Sequence, residues 1–425
     1  MRYFLACCSV FLLISCGSNP KRQFSKALPE LLNDPYFENQ FTGIFIIDPE
    51  SRDTLYQQNS GKYFTPASNT KIFTLFTAME LLPELLPQLQ YQAHGDTIYI
   101  RGTGDPTLLH PYFKSGKSLE LIAQFPHIKY LYNRFQDTPL GPGWSWADFD
   151  AYYSAERSGL PLYGNVVLGG KTPGGEPWMT PDVFPFEWSV EKPRFNRKRD
   201  ENHFYLYTNS TADTLEIPFV TDTSSVRTLL ENLVKKPVEL CTSAPGDTWE
   251  TIYGVPADSV YKRMMKISDN FIAEQLLIQA SGIISDTLDP SEAIEFMFNG
   301  PLSDMAQQPR WVDGSGLSRY NLFTPESMVH VLDKLYQCYG TERLYAFFPE
   351  GGVSGTIKNY FHGNDKPYLH AKTGTLSNNY CLSGYLETQS GKTLIFSFMN
   401  NHYMGSSTPL KAKMTPVLEW IRDHY

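Results

Sequence analysis

No apolar run in this chain is long enough to cross a bilayer. The longest, Tyr3–Ile14, covers twelve residues, whereas a spanning helix needs about 20. Positive charge is in short supply: 36 Lys and Arg stand against 45 Asp and Glu, for a net charge of −9. A surface of that sign repels phosphate backbones, so no nucleic-acid partner is expected. Internal repeats and blocks of five or more like charges are missing. Six cysteines in 425 residues leave little scope for disulfides. What is present reads as globular. Hydrophobic residues make up 41% and charged residues 19%, enough for a sizeable core and against disorder. Thirty Gly and thirty Pro supply many turns. At about 150 residues per domain the length suggests two or three domains.

Several chemical signatures are also missing. The nine histidines form no His-x-His, His-Glu-x-x-His or Cys-His pair, so neither a metal site nor a cofactor is expected. Gly-x-Ser-x-Gly is absent, which removes the α/β-hydrolase nucleophile elbow. Gly116-Lys117-Ser118 and Gly170-Lys171-Thr172 mimic the end of a phosphate loop. The earlier glycine that such a loop requires is Pro111 in one and Asn165 in the other, so both fail.

The run from Tyr3 to Ile14 suits the core of a signal peptide. It ends in Leu13-Ile14-Ser15-Cys16-Gly17, which resembles the cleavage box of bacterial lipoproteins. Residues 1–15 are then a signal, and Cys16 the lipidated N-terminus of a short tether, 16–24. This predicts a periplasmic protein held at a membrane by its lipid. Cys7 and Cys8 leave with the signal. Cys241, Cys338 and Cys381 remain, allowing at most one disulfide, and isolated buried thiols are expected.

Downstream, Thr42–Asp48 and Thr54–Gln58 flank an Asp-Pro-Glu-Ser turn and read as a hairpin. Pro66 opens and Pro83 stops a predicted helix from about Pro66 to Leu82. From Leu85 to Asp247 short strand-like pieces (Asp96–Arg101, Tyr205–Thr208, Leu215–Val220) alternate with turns, as in an inserted, largely β domain. Helical spacing resumes over Asp258–Ala280 and again from Thr324-Pro325 to Cys338. Strands are expected at Leu369–Thr373, Tyr380–Glu387 and Thr393–Met399, and a final helix over Thr408–Asp423. The segments 25–84 and 248–425 then form one domain, interrupted by 85–247.

Three short motifs carry chemistry. Ser68 and Lys71 stand three residues apart near the start of a predicted helix, on one face. A serine hydroxyl is a poor nucleophile until a base takes its proton. Lysine serves only if its pKa falls from about 10.4 towards 7, and both burial and a second cation lower it. The helix N-terminus favours negative charge developing on Ser68. Ser18/Lys21 in the tether and Ser259/Lys262, which reads as a helix cap with an exposed lysine, match the same spacing. The second motif is Ser268-Asp269-Asn270. Ser268 could pass a proton between Lys71 and a leaving amine, and the Asn270 amide could hold both a lysine and a substrate carbonyl. Ser377/Asn379 and Tyr163/Asn165 compete with it. The third, Lys372-Thr373-Gly374-Thr375, contains the only Lys-Thr-Gly in the chain. Gly374 would let a ligand backbone approach. Lys372 and the hydroxyls of Thr373 and Thr375 could bind a carboxylate, and the N–H groups of Thr375 and Ser68 could form an oxyanion hole.

In this order the three motifs are the trio of penicillin-binding proteins and class A β-lactamases. Gly102–Leu108 (GTGDPTL), Asp313–Asn321 (DGSGLSRYN), Glu350–Thr356 (EGGVSGT) and Ala371–Leu376 (AKTGTL) extend the likeness. Together they resemble the long D-alanyl-D-alanine carboxypeptidase/endopeptidase family of penicillin-binding proteins, which carries a large insert between its first two motifs. Ser68 and Ser268 lie 200 residues apart, as that insert requires. The resemblance implies an α/β (α+β) transpeptidase/β-lactamase-like fold, with an antiparallel sheet flanked by helices, an all-helical lobe and a cleft between that lobe and the Lys372 strand. It implies Ser68 as acylated nucleophile, Lys71 as general base, Ser268 as proton relay, and Asn270, Lys372, Thr373 and Thr375 as substrate-binding residues. It also implies that Lys372 sits near Lys71 and helps keep it neutral. The implied partners are peptidoglycan stem peptides and β-lactams. The implied activity is release of terminal D-Ala, with cutting of D-Ala cross-links a further option. A β-lactamase, and a non-catalytic cell-wall-binding lipoprotein, remain as alternatives. For the former, Glu295-x-x-x-Asn299 mimics a deacylating glutamate but reads better as the end of an amphipathic helix. The glycine-rich Gly102–Leu108 and Asp313–Asn321 segments read as structural turns.

Overall fold

The computed structural model describes residues 20–113, 115–207 and 214–425. The signal, residues 16–19 of the tether and Thr208 lie outside the described residues; the rest of the expected tether, 20–24, is not a free linker but the start of the helix Pro20–Leu32, with Phe24 buried.

The strand Phe41–Asp48 is apolar on both sides. Ile44 and Ile46 enter one core while Phe45 and Ile47 pack against another, so it reads as a continuous run rather than an alternation. Asp48 closes the turn by accepting from the Glu50 and Ser51 amides, and Asp53–Gln58 returns alongside. These two strands form one end of a five-stranded antiparallel sheet. From the other edge its order is Leu369–Leu376, Asn379–Glu387, Thr393–Asn401, Phe41–Asp48 and Asp53–Gln58. Phe41 pairs with Asn401 and Ile47 with Ile395, so both ends of the chain meet inside one sheet.

Helices cover both faces. Pro20–Leu32 and Ser407–His424 bury Phe24, Leu28, Val417 and Ile421 against one. Against the other packs a helical lobe containing Lys71–Leu81, Ala257–Lys266, Asn270–Ile284 and Pro325–Tyr339. The stretch Asp258–Ala280 is therefore two helices, not one. Asp269 caps the second by accepting from the Ile272 amide, and Ser268 between them has φ +63°, a left-handed conformation no helix interior contains.

The region between has its own core, including Leu89, Ile100, Val167, Leu206 and Leu229. Its main sheet runs Val238–Cys241, His127–Leu131, Thr97–Gly102, Leu85–His94 and Glu250–Pro256. Two of its pairings are parallel. Such pairings need crossovers, so the region includes the helices Lys117–Ile122 and Thr223–Val234. The closing strand pairs Pro256 with Leu85, carrying this sheet beyond residue 247. Its half-exposed side chains gave no clear alternation to read. All three cysteines of the folded part are free thiols. Only Cys381 is fully buried, because Cys338 faces solvent on its helix and Cys241 ends a sheet-edge strand.

Candidate active site

The turn that presents Ser68 is held by close backbone packing. The segment expected as one helix from Pro66 is a 3₁₀ turn over Ala67–Thr70 that becomes α-helical at Lys71. Ala67 has φ +48°. A Cβ at Gly316 would strike the Ala67 carbonyl, and one at Gly374 would meet the Pro66 carbonyl and the Asn69 and Ser68 amides. Gly374 was expected to admit a ligand's backbone; it admits the protein's own Ser68 turn instead. Asn69 ties the same turn to the sheet, donating to Ser383 Oγ at 2.7 Å, which donates to Ser397 Oγ at 2.8 Å. The Gly374–Thr375 backbone is thereby placed beside the Ser68 amide, where two N–H groups could meet one oxyanion.

Lys71 is wholly buried. Its Nζ lies 3.1 Å from Ser68 Oγ, 2.6 Å from Asn270 Oδ1 and 2.7 Å from the Ser315 carbonyl. Burial lowers its pKa to about 8, against the opposing pull of Asp313, Glu274 and Asp269. Asn270 Oδ1 and the Ser315 carbonyl can only accept. A neutral amine therefore gives them its two N–H bonds and turns its lone pair to the Ser68 hydroxyl. The amide of Asn270 is fixed from its other end, Nδ2 donating to the Tyr153 carbonyl at 2.9 Å.

Across the site, Lys372 Nζ donates to Ser268 Oγ at 2.9 Å and to the Thr373 carbonyl at 2.7 Å. Strand alternation turns Lys372 to the same face as Gly374, towards the helical lobe. Burial, and then the charge of Lys71, hold its pKa well below the usual lysine value. Thr373 Oγ1 donates to Thr356 Oγ1 at 2.7 Å. A cleft of about 830 Å³ is lined by Ser68, Ser268, Asn270, Thr356, Thr373 and Thr375 among others. Lys71 and Lys372 stand behind that lining with no exposed surface. Two expectations change. Ser268 is bonded to Lys372 rather than bridging to Lys71, and Lys372, read with the Thr373 and Thr375 hydroxyls as a carboxylate binder, stands behind Ser268 and Thr373 with no exposed surface.

The competing motifs fall elsewhere. Ser259 Oγ donates to the Pro256 carbonyl at a helix start, and Asn165 is spent on the Glu156 carbonyl and Ser158 Oγ. Glu295 is exposed on the Pro290–Asn299 helix and does not line the cleft. Ser377 lines the cleft, but Asn379 turns back to its carbonyl. Sequence reasoning missed Ser315, Tyr153 and Thr356. The first two act through carbonyls, which leave no mark in a sequence, although Ser315 lies in the segment read as a turn. Thr356 lies in a motif that carried likeness but no role.

The family model for D-Ala-D-Ala carboxypeptidase 3 (S13) matches residues 24–182 and 254–423. The chain is 26% identical over 443 residues to the D-alanyl-D-alanine carboxypeptidase of Actinomadura sp. (strain R39), covering 88% of this chain and 80% of that one. Identity to D-alanyl-D-alanine carboxypeptidase DacB of Haemophilus influenzae is 30% over 186 residues, 40% of this chain and 37% of the relative. The crystal structure of penicillin binding protein 4 (dacB) from Haemophilus influenzae superposes with a TM-score of 0.76 at 19% identity. It covers 93% of this chain and 99% of that one.

Proposed function

This chain belongs to the D-Ala-D-Ala carboxypeptidase 3 (S13) family, and from that premise we propose that Ser68 is the nucleophile with which it removes the terminal D-Ala of peptidoglycan stem peptides. The observation that carries the reading is the coordination of buried Lys71 by Ser68, Asn270 and Ser315. Neutral Lys71 takes the Ser68 proton as Oγ attacks the penultimate D-Ala carbonyl. The oxyanion is met by the Ser68 and Thr375 amides. Ser268 gives a proton to the departing D-Ala nitrogen and is reprotonated by Lys372, which bonds its Oγ, and the acyl chain stays on Ser68 as an ester. Water then attacks the ester and loses a proton through Ser268 back to Lys372, Lys71 returns the first proton to Oγ, and the shortened peptide leaves. Thr373 and Thr375 line the cleft as hydroxyl donors to the terminal carboxylate, with the charge of Lys372 directly behind. Cleavage of D-Ala cross-links is the same acylation with a larger leaving amine, and mass spectrometry of products from defined muropeptides reads which bond is cut.

A β-lactam presents its strained amide to the same hydroxyl. Labelled penicillin is expected to form a covalent adduct that maps to Ser68 and is released slowly, since Glu295 is too remote to activate water. A label on Ser259, or none, would overturn the assignment. Rapid turnover that depends on Glu295 would favour a β-lactamase.

For location, we propose that Cys16 carries lipid and holds the mature chain at a membrane facing the periplasm. The Leu-Ile-Ser-Cys box supports this. Among the described residues no helix is long and apolar enough to cross a membrane. The Cys16→Ala protein is expected to be uncleaved or mislocalised. Wild-type protein that is fully soluble, with no lipid mass on its N-terminal peptide, would refute the anchor.

A further inference from the structure

Asn270 and Glu274 stand one turn apart on the same face of the Asn270–Ile284 helix. Asn270 Oδ1 accepts directly from Lys71 Nζ. Glu274 Oε1 accepts from the Ser315 amide at 2.7 Å, and the carbonyl of that same residue accepts from Lys71. One helix face therefore governs both acceptors of the lysine. Glu274 is wholly buried, and its second oxygen has no hydrogen bond. Arg157 Nη1 approaches it at 3.6 Å. Arg157 comes from the inserted region and is itself wholly buried. Its Nη2 is fixed by Asp137 at 2.7 Å and the Thr138 carbonyl at 2.9 Å. Its guanidinium lies over Trp144, whose indole donates to Asp313. The acyl transfer described above uses neither Glu274 nor Arg157. Burying both charges is costly and adds little stability over an apolar pair.

We propose that Glu274 is a positioning residue for Lys71: its carboxylate sets the Ser315 carbonyl against the lysine and fixes the pH at which the lysine becomes a base, while Arg157 of the inserted region holds that carboxylate. This rests on the reading of Lys71 as the base for Ser68. The charges facing Lys71 are Glu274 and Asp269 from the helix junction, Asp313 from the glycine-rich turn, and Lys372 from the edge strand. Those facing Glu274 are Asp313 and Arg157. The carboxylates raise the lysine's proton affinity, and burial lowers it. Burial and Asp313 push Glu274 itself up to about 7, against Arg157 and the Ser315 amide. The ionised Glu274 carboxylate, which Arg157 favours, opposes the loss of the Lys71 proton.

The test is the pH dependence of Ser68 acylation by labelled penicillin in the full chain, for wild type, Glu274→Gln and Glu274→Asp. Gln keeps the shape and the acceptor for the Ser315 amide but removes the charge. Asp keeps the charge and shortens the reach. The acidic limb is expected to move down by about one pH unit in Glu274→Gln. In Glu274→Asp it should stay at the wild-type position while the plateau rate falls. Adduct stoichiometry counts folded enzyme, so a partly unfolded variant still yields a profile. A limb unmoved in Glu274→Gln, or moved equally in both variants, overturns the proposal. A wild-type adduct away from Ser68 would instead overturn the reading it rests on.

Discussion

Two buried lysines within one site are an electrostatic conflict, because each disfavours the proton of the other. Lys372 resolves it by giving its hydrogen bonds to Ser268 and to the Thr373 carbonyl, while Lys71 faces Ser68, Asn270 and Ser315. Lys372→Met removes a cation and orphans both of its acceptors. A hydrogen bond to a charged group is worth about 1.5–3 kcal/mol, so kcat/KM on a D-Ala-D-Ala peptide should fall roughly 10- to 200-fold from that loss alone. The pH effect has a definite sign. Without a second amine beside it Lys71 holds its proton more tightly, and the acidic limb moves to higher pH. That is opposite to the shift expected for Glu274→Gln. Lys372→Arg keeps the charge in a bulkier, planar group and should fall between. A Lys372→Met enzyme with wild-type rate and limb would show that the two amines are not coupled. At this scale the residues that the structure gathers, Ser68, Lys71, Ser268, Asn270, Lys372, Thr373 and Thr375, were legible as three motifs, because serine, lysine and threonine in that spacing have few other reasons to coincide. What could not be read was which lysine Ser268 would bond, since that depends on the strand's face and on the left-handed turn at Ser268.

The decisive element contact is the Ser68 turn against the edge strand. Gly374 is there because the Pro66 carbonyl and the Ser68 and Asn69 amides occupy the space of a side chain. In Gly374→Ala, strand or turn must give way. Overpacking of this kind costs about 1–3 kcal/mol, and misplacing the oxyanion donors by about 1 Å costs up to about 10²-fold in rate. Thermal unfolding of this variant should fall by a few degrees, while penicillin acylation should fall far more. Equal, small losses in both would mean that the contact only packs. Most elements were legible as strands or helices. The hairpin after Thr42 and the closing helix followed from periodicity and turn residues. The break at Ser268 was hidden because apolar spacing continues across it from Met265 to Ile272. Glu250–Pro256 was missed because it is half-exposed and its register slips at Tyr253.

Over the whole molecule, the order of elements suggested one domain interrupted by an insert and the family resemblance supplied the fold class, while the three cores could not be read, because which face of a strand meets which helices is not written in any one segment. The central sheet places Phe41–Asp48 beside Thr393–Asn401, with the Lys372 strand at the edge beyond. The first strand among the described residues therefore waits for the last. Pairings between such distant segments make folding slow, since loop closure must come before the contacts that reward it. During synthesis the Ser68 turn emerges long before the strand against which it is aligned. A nascent chain holds its nucleophile, and even its inserted region, without a working cleft, and chemical competence arrives only when the C-terminal strands dock. An enzyme that attacks wall peptides is thus inert while it is still being made, and the order of assembly serves as its own safety catch.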